Sequence, residues 1–158
     1  MALYAIGDLH LSFQTDKSME VFGREWKDYV KKISKNFKRK INTDDTIVLT
    51  GDHSWGRNLS QCEKDLQFIE ELPGRKILLR GNHDMFWDAK KTQKLNEQFA
   101  GRLEFLQNNF YSYKDYALVG TKGYCYEGKD SIEHFVKIRD RELERLRVSF
   151  EAAKEAGF

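Results

Sequence analysis

Three segments of the chain each run apolar residues into glycine and then into side chains that bind cations or carry protons: LYAIGDLH at 3 to 10, TIVLTGDHS at 46 to 54 and KILLRGNHD at 76 to 84. A single segment of this kind is explained by a turn, since Gly, Asn and Asp accept the backbone angles of a reversal. Three in series are not, and they set Asp8, His10, Asp52, Asn82, His83 and Asp84 at equivalent points of a repeated pattern. Asp8 and His10 are two apart, so on an extended strand both face the same way and offer an oxygen and a nitrogen to one cation. Asp52 has two oxygens with which to bridge two cations, and Asn82 adds a neutral amide oxygen to the second.

Mixed imidazole and oxygen donors suit divalent transition metals such as Mn, Fe, Zn or Co, without choosing among them. Two such ions ~3.5–4 Å apart clamp the attacking and leaving oxygens of phosphoryl transfer. His83 stays uncoordinated in this scheme. With Asp84 orienting its ring and favouring the imidazolium, it is placed to protonate a leaving oxygen.

These residues must be brought together by the elements that carry them. Met19, Phe22, Trp26, Val30, Ile33 and Phe37 recur at helical spacing and predict a helix over about 17 to 40. TIVLT, β-branched and apolar, suits a buried parallel strand. Ser60 with Glu63 reads as a capping box, opening a helix that Pro73-Gly74 ends, and KILLR follows as another buried strand. Strand, helix, strand, helix, strand is the pattern of a parallel sheet with right-handed crossovers. In such a sheet the loops after the strands' carboxyl ends share one edge, where ligands bind. Further on, 90 to 99 suits a short helix. The stretch 110 to 124 reads as two strands around Lys114-Asp115, and a last helix runs from Ile132 to a stop at Gly157.

Composition narrows the remaining options. A chain of 158 residues, 40% hydrophobic, is expected to form one domain over 1 to 158. With 27 basic against 25 acidic residues, a net charge of +2 gives no global field toward nucleic acid or membrane. KKISKNFKRK at 31 to 40 is the strongest local patch, readable as the wet face of a helix or as an anion-steering surface. Cys62 and Cys125 lack the spacing of a zinc site or a disulfide framework and are expected to be reduced thiols. The early Asp8 argues against a signal peptide and no apolar run reaches the ~20 residues of a membrane span, so a cytoplasmic location is expected.

The triplet Asp8-Leu9-His10, Gly51-Asp52 and Gly81-Asn82-His83-Asp84 resembles the first three motifs of the calcineurin-like metallophosphoesterases. GDHSW, LPGRKILLRGNHD and VGTKGY are similar to segments of that superfamily's small bacterial predicted phosphohydrolases. The resemblance implies an α/β sandwich with a parallel-rich sheet and flanking helices, and a dinuclear centre hydrolysing phosphomonoesters or phosphodiesters. It further implies Asp8 and His10 on the first metal, Asp52 bridging, Asn82 on the second, and His83 with Asp84 as acid and orienter.

The family's later motifs, a strand-end histidine and Gly-His-x-His, have no counterpart: the four histidines are His10, His53, His83 and His134. The second sheet is therefore expected to be incomplete and the second metal weakly held. An open sheet edge would favour a homo-oligomer or a complementing chain. The expected partner of the site is a phosphate-ester substrate. The alternative is a catalytically incomplete fragment acting as a binding or assembly module. His53 reads as a loop residue pointing away from Asp52.

Overall fold

The computed structural model describes residues 1–123 and 131–158; Tyr124 and Cys125, named above, lie outside them. Four short strands, β1 (Leu3–Ile6), β2 (Thr46–Leu49), β3 (Arg75–Leu79) and β4 (Glu104–Leu106), pair in parallel in the order β1-β2-β3-β4. The connecting helices are α1 (Tyr29–Lys40), α2 (Leu59–Glu71) and α3 (Thr92–Gln98). Strand order that advances steadily in one direction, with right-handed crossovers, puts all three helices on one face. There Leu49, Leu78 and Phe105 of the sheet pack with Val30 and Ile33 of α1, Leu66 and Ile69 of α2, and Leu95 of α3.

The opposite face is covered toward β3. The hairpin of β5 (Phe110–Tyr113) and β6 (Tyr116–Val119) turns at Lys114, as expected, and α4 (Ile132–Glu155) lies against it. Ser149 of α4 accepts from the Gly120 amide at 3.2 Å and donates to the Asn109 carbonyl. Arg75 ties the layers together: its guanidinium makes a two-pronged contact with Glu104 at 2.7 and 3.1 Å and reaches the Ser112 carbonyl at 2.6 Å. The chain is thus α/β, with a parallel sheet, flanking helices and a small antiparallel sheet.

Several boundaries differ from the sequence expectation for local reasons. The helix predicted over 17 to 40 is two 3-10 turns, Met19–Phe22 and Arg24–Trp26, followed by α1, because Gly23 and the left-handed Asp28 interrupt it. Helix α2 is capped by Asn58, which accepts from the Gln61 amide at 3.0 Å, and not by Ser60. Strand β4 has three residues, too few for alternation to reveal it. The basic stretch at 31 to 40 forms the solvated side of α1, where Lys31 pairs with Asp28 at 2.9 Å and Lys32 reaches the Glu25 carbonyl at 3.0 Å. Cys62 is buried, which pushes its thiol up to about 11. On β1, Leu3, Tyr4 and Ala5 are exposed and the outer edge of the sheet is unpaired among the described residues. No described helix is long and apolar enough to cross a membrane.

The start of the chain is held by Asp45, whose buried carboxylate accepts from the Ala2 amide at 2.6 Å and the Asn42 amide at 2.9 Å. The Asn42 amide first, and then that of Ala2, hold its carboxyl below the usual range. A depressed folded value means that the contribution is present above the unfolded value of about 3.9 and is lost as pH falls through the folded one. Asp45→Asn should therefore lower the urea midpoint at neutral pH, with the gap to the parent closing in strongly acidic buffer.

Candidate metal centre

Glycine brings the ends of β2 and β3 together. A Cβ on Gly51 (φ 120°) would lie 2.7 Å from the Gly81 Cα, and one on Gly81 would lie 2.1 Å from the Asp52 Oδ1. Past the strands, the segments at 8 to 11 and 51 to 55 run side by side. The amides of Asp8, His10 and Leu11 donate to the carbonyls of Gly51, Asp52 and His53 at 2.9–3.0 Å, and the Trp55 amide returns to Leu11 at 2.9 Å. The Tyr29 hydroxyl donates to the His10 carbonyl at 2.8 Å, so α1 also fixes this segment.

Asp8, His10 and Asp52 converge, each with a donor atom within 4.8 Å of the others. The His10 Nε2 lies 3.4 Å from the Asp8 Oδ1 and 3.8 Å from the Asp52 Oδ2. Convergence does not come from strand alternation, because β1 ends at Ile6. Asp8 (φ 57°), His10 (φ 44°) and Asp52 (φ 54°) are all left-handed, while Leu9 and Leu11 between and after them are buried. One imidazole nitrogen and two carboxylates at this separation fit a divalent transition metal. The buried Nδ1 of His10 has no hydrogen-bond partner among the described residues, which leaves Nε2 as the nitrogen aimed at the acids.

Asp52 is held from the other side. Its Oδ1 accepts the His83 amide at 2.8 Å, leaving Oδ2 turned to His10. Asn82, just before His83, is exposed, and its side chain forms no hydrogen bond among the described residues. The His83 ring is half-buried, 5.6 Å from the His10 ring and 4.5 Å from Trp55.

Trp55 was not singled out from the sequence. It stacks on His10 at 4.7 Å with an interplanar angle of 20°, and Lys17 sits 4.9 Å over its ring. With no hydrogen bond on the His10 Nδ1 among the described residues, this stack helps to set the plane of the imidazole. Trp55→Ala should weaken Mn(II) binding about tenfold, as loss of a ligand's supporting contact does, while Trp55→Phe keeps most of the affinity; calorimetric titration with Mn(II) measures both.

Asp84 does not orient His83. It is fully buried, and its oxygens accept from the amides of Gly81 at 2.7 Å, His53 at 2.8 Å and Asp52 at 2.9 Å, and contact the His53 Nδ1 at 2.8 Å. His53, expected as a loop residue, is equally buried, with its Nε2 3.3 Å from the Leu49 carbonyl. Burial opposes charge on both, but each supports the other: Asp84 holds the imidazole above its usual value. His53 and the amides in turn hold the carboxyl below its own. This pair clamps the β2 and β3 loops from beneath the ligands. Only the repeated Gly-Asp-His and Gly-Asn-His-Asp pattern could have hinted at it.

The model of the calcineurin-like phosphoesterase family matches residues 1–154. The chain belongs to the calcineurin-like phosphoesterase family. Membership associates this chain with phosphoester hydrolysis and with divalent metals, and the Asp8, His10 and Asp52 group is one that could hold such an ion. A solved structure described as a protein of unknown function, AQ665 from Aquifex aeolicus, is similar in fold. It has 24% identity and a TM-score of 0.51, over 91% of this chain and 72% of that one. No curated protein matches.

Proposed function

We propose that this calcineurin-like phosphoesterase is a metal-dependent phosphohydrolase that cleaves phosphomonoesters or phosphodiesters at a dinuclear centre. The observation that carries it is the gathering of the Asp8, His10 and Asp52 donors within 4.8 Å at the carboxyl edge of the sheet, with the His83 ring 5.6 Å from that of His10. Asp8 and His10 would hold the first ion, Asp52 would be shared, and Asn82 would complete the second. When bound, such ions polarise the phosphoryl group and lower the pKa of a water nucleophile.

The chain's own residues supply position and a proton. Asp52 is fixed by the His83 amide, and the segment carrying His10 by the Tyr29 hydroxyl, so the donors are arranged before substrate arrives. His83, in its protonated form, gives its proton to the leaving oxygen. Asp84 acts one step removed, by holding the loops that carry Asp52 and Asn82.

Mn(II)-loaded protein should hydrolyse p-nitrophenyl phosphate or its bis ester, and Asp52→Asn should reduce turnover to background. No metal-dependent turnover at any pH tested would overturn this function. A second reading, a module that binds one metal for assembly, is favoured by a single observation: the Asp/Glu/His/Cys donors that gather among the described residues form one group of three. Elemental analysis after metal loading separates the two, since one metal per chain without turnover supports the module and two metals exclude it.

A further inference from the structure

We infer that Asp65 of α2 is a positioning residue for the first metal: through Ser54 it sets how the loop that carries Asp8 and His10 lies against the loop that carries Asp52. The inference rests on the metal-dependent function proposed above and adds to it two buried residues outside the donor group.

The two loops leave the sheet side by side, and beyond the donors they meet again. Leu11 and Ser54 pair as an isolated parallel bridge, with the Leu11 amide donating to the His53 carbonyl and the Trp55 amide to the Leu11 carbonyl, both at 2.9 Å. Asp65, fully buried, grips both segments at once. Its Oδ1 accepts from the Phe13 amide at 2.9 Å, and its Oδ2 accepts from the Ser54 hydroxyl. The Ser54 oxygen accepts in turn from the Gly56 amide at 3.0 Å. Glycine at 56 lets this loop lie down on α2: a Cβ there would overlap the Cys62 sulphur and come within 2.9 Å of the Gln61 carbonyl carbon.

Folding alone is a poor reason for this acid. Asp65 forms no ion pair among the described residues, and burial pushes its carboxyl up against the opposing effect of the Ser54 hydroxyl and the Phe13 amide. A buried charge without a counter-charge is costly, and replacing both members of a buried polar pair by apolar groups of the same shape can be nearly neutral. Apolar groups could not, however, tie two loops together through one carboxylate. The consequence falls on the donors. Ser54 lies between Asp52 and Trp55, whose ring stacks on His10 at 4.7 Å, and Phe13 closes the segment that begins at Asp8. The His10 Nε2 stands 3.4 Å from the Asp8 carboxylate and 3.8 Å from that of Asp52, so a small slip between the loops opens the donor group. Asp84 and His53 clamp the loops after β2 and β3; Asp65 and Ser54 do the same for those after β1 and β2.

The test is calorimetric titration of Mn(II) into the full chain, with the urea midpoint followed on the same proteins. Ser54→Ala should raise the Kd for Mn(II) about tenfold, as loss of a supporting partner does for a metal ligand. Asp65→Asn, which keeps an oxygen for the Phe13 amide, should raise it too. The two changes together should cost no more than the larger alone, because the residues act through one hydrogen bond. Leu66→Ala, a core truncation at the next position of α2, should lower the urea midpoint and leave the Kd where it is.

A Kd unmoved by Ser54→Ala, losses that add in the double variant, or a Kd that rises equally in Leu66→Ala overturns the positioning role. Should Asp65→Asn fail to fold, Ser54→Ala and Leu66→Ala still decide. Failure of the catalytic function looks different. If that function is wrong and the positioning role right, Ser54→Ala weakens Mn(II) binding in a protein that cleaves no p-nitrophenyl phosphate. If the positioning role is wrong, the parent cleaves the ester and Ser54→Ala binds Mn(II) as the parent does. A parent that binds no Mn(II) overturns both.

Discussion

Asp84→Ala should lower the stability of the fold by about 3–5 kcal/mol, the loss expected when one partner of a buried ion pair is removed. Against the total of about 5–15 kcal/mol typical of a domain this is a large fraction, and it should appear as a marked fall in the urea midpoint followed by circular dichroism. The magnitude follows from what the carboxylate satisfies: three backbone amides, on Asp52, His53 and Gly81, and the imidazole of His53. None of these reaches water, because both side chains are fully buried. Asp84→Asn keeps the shape and some acceptor capacity but sets an amide nitrogen among four donors, so it should fall between alanine and the parent. A midpoint left unmoved by Asp84→Ala, with turnover lost, would instead assign the carboxylate to His83, as the adjacency of the two residues first suggests.

His83→Gln should reduce kcat by about 10²–10⁴ for esters whose leaving group must depart as an alcohol, the range supplied by a positioned general acid. For p-nitrophenyl phosphate, whose leaving group departs without a proton, the loss should be much smaller. The contrast between the two substrates isolates proton donation from any effect on the ligands, to which His83 is linked through the hydrogen bond from its amide to Asp52. Glutamine leaves that backbone contact in place. Equal losses on both substrates would remove His83 from the role of acid and reduce it to a support for Asp52.

The parallel sheet, its crossover helices and the convergence of Asp8, His10 and Asp52 were legible because each depends on local pattern: an apolar run, a glycine, then a donor. What was not legible depends on contacts between distant segments or on single backbone angles. His53 and Asp84 are 31 residues apart, and their burial as a pair follows from the approach of two loops, which neither neighbourhood announces. The left-handed Asp28 and the position of Gly23 broke a helix whose side-chain periodicity was otherwise continuous. Alternation along a strand gave the correct meeting of Asp8 with His10 for the wrong reason, since both residues lie beyond the strand in left-handed conformations. The stacking of Trp55 on His10 had no sequence signal beyond proximity to the second motif.

Those backbone angles at Asp8, His10 and Asp52 carry a thermodynamic consequence. A residue with a Cβ gives up about 1–2 kcal/mol in this region, while glycine enters it freely. A chain shaped only to hold itself together would carry glycine at all three places and be sturdier for it, but it would have nothing with which to grip an ion. Cohesion is surrendered at the same points where donor atoms are presented, as strain concentrated at a working site leads one to expect.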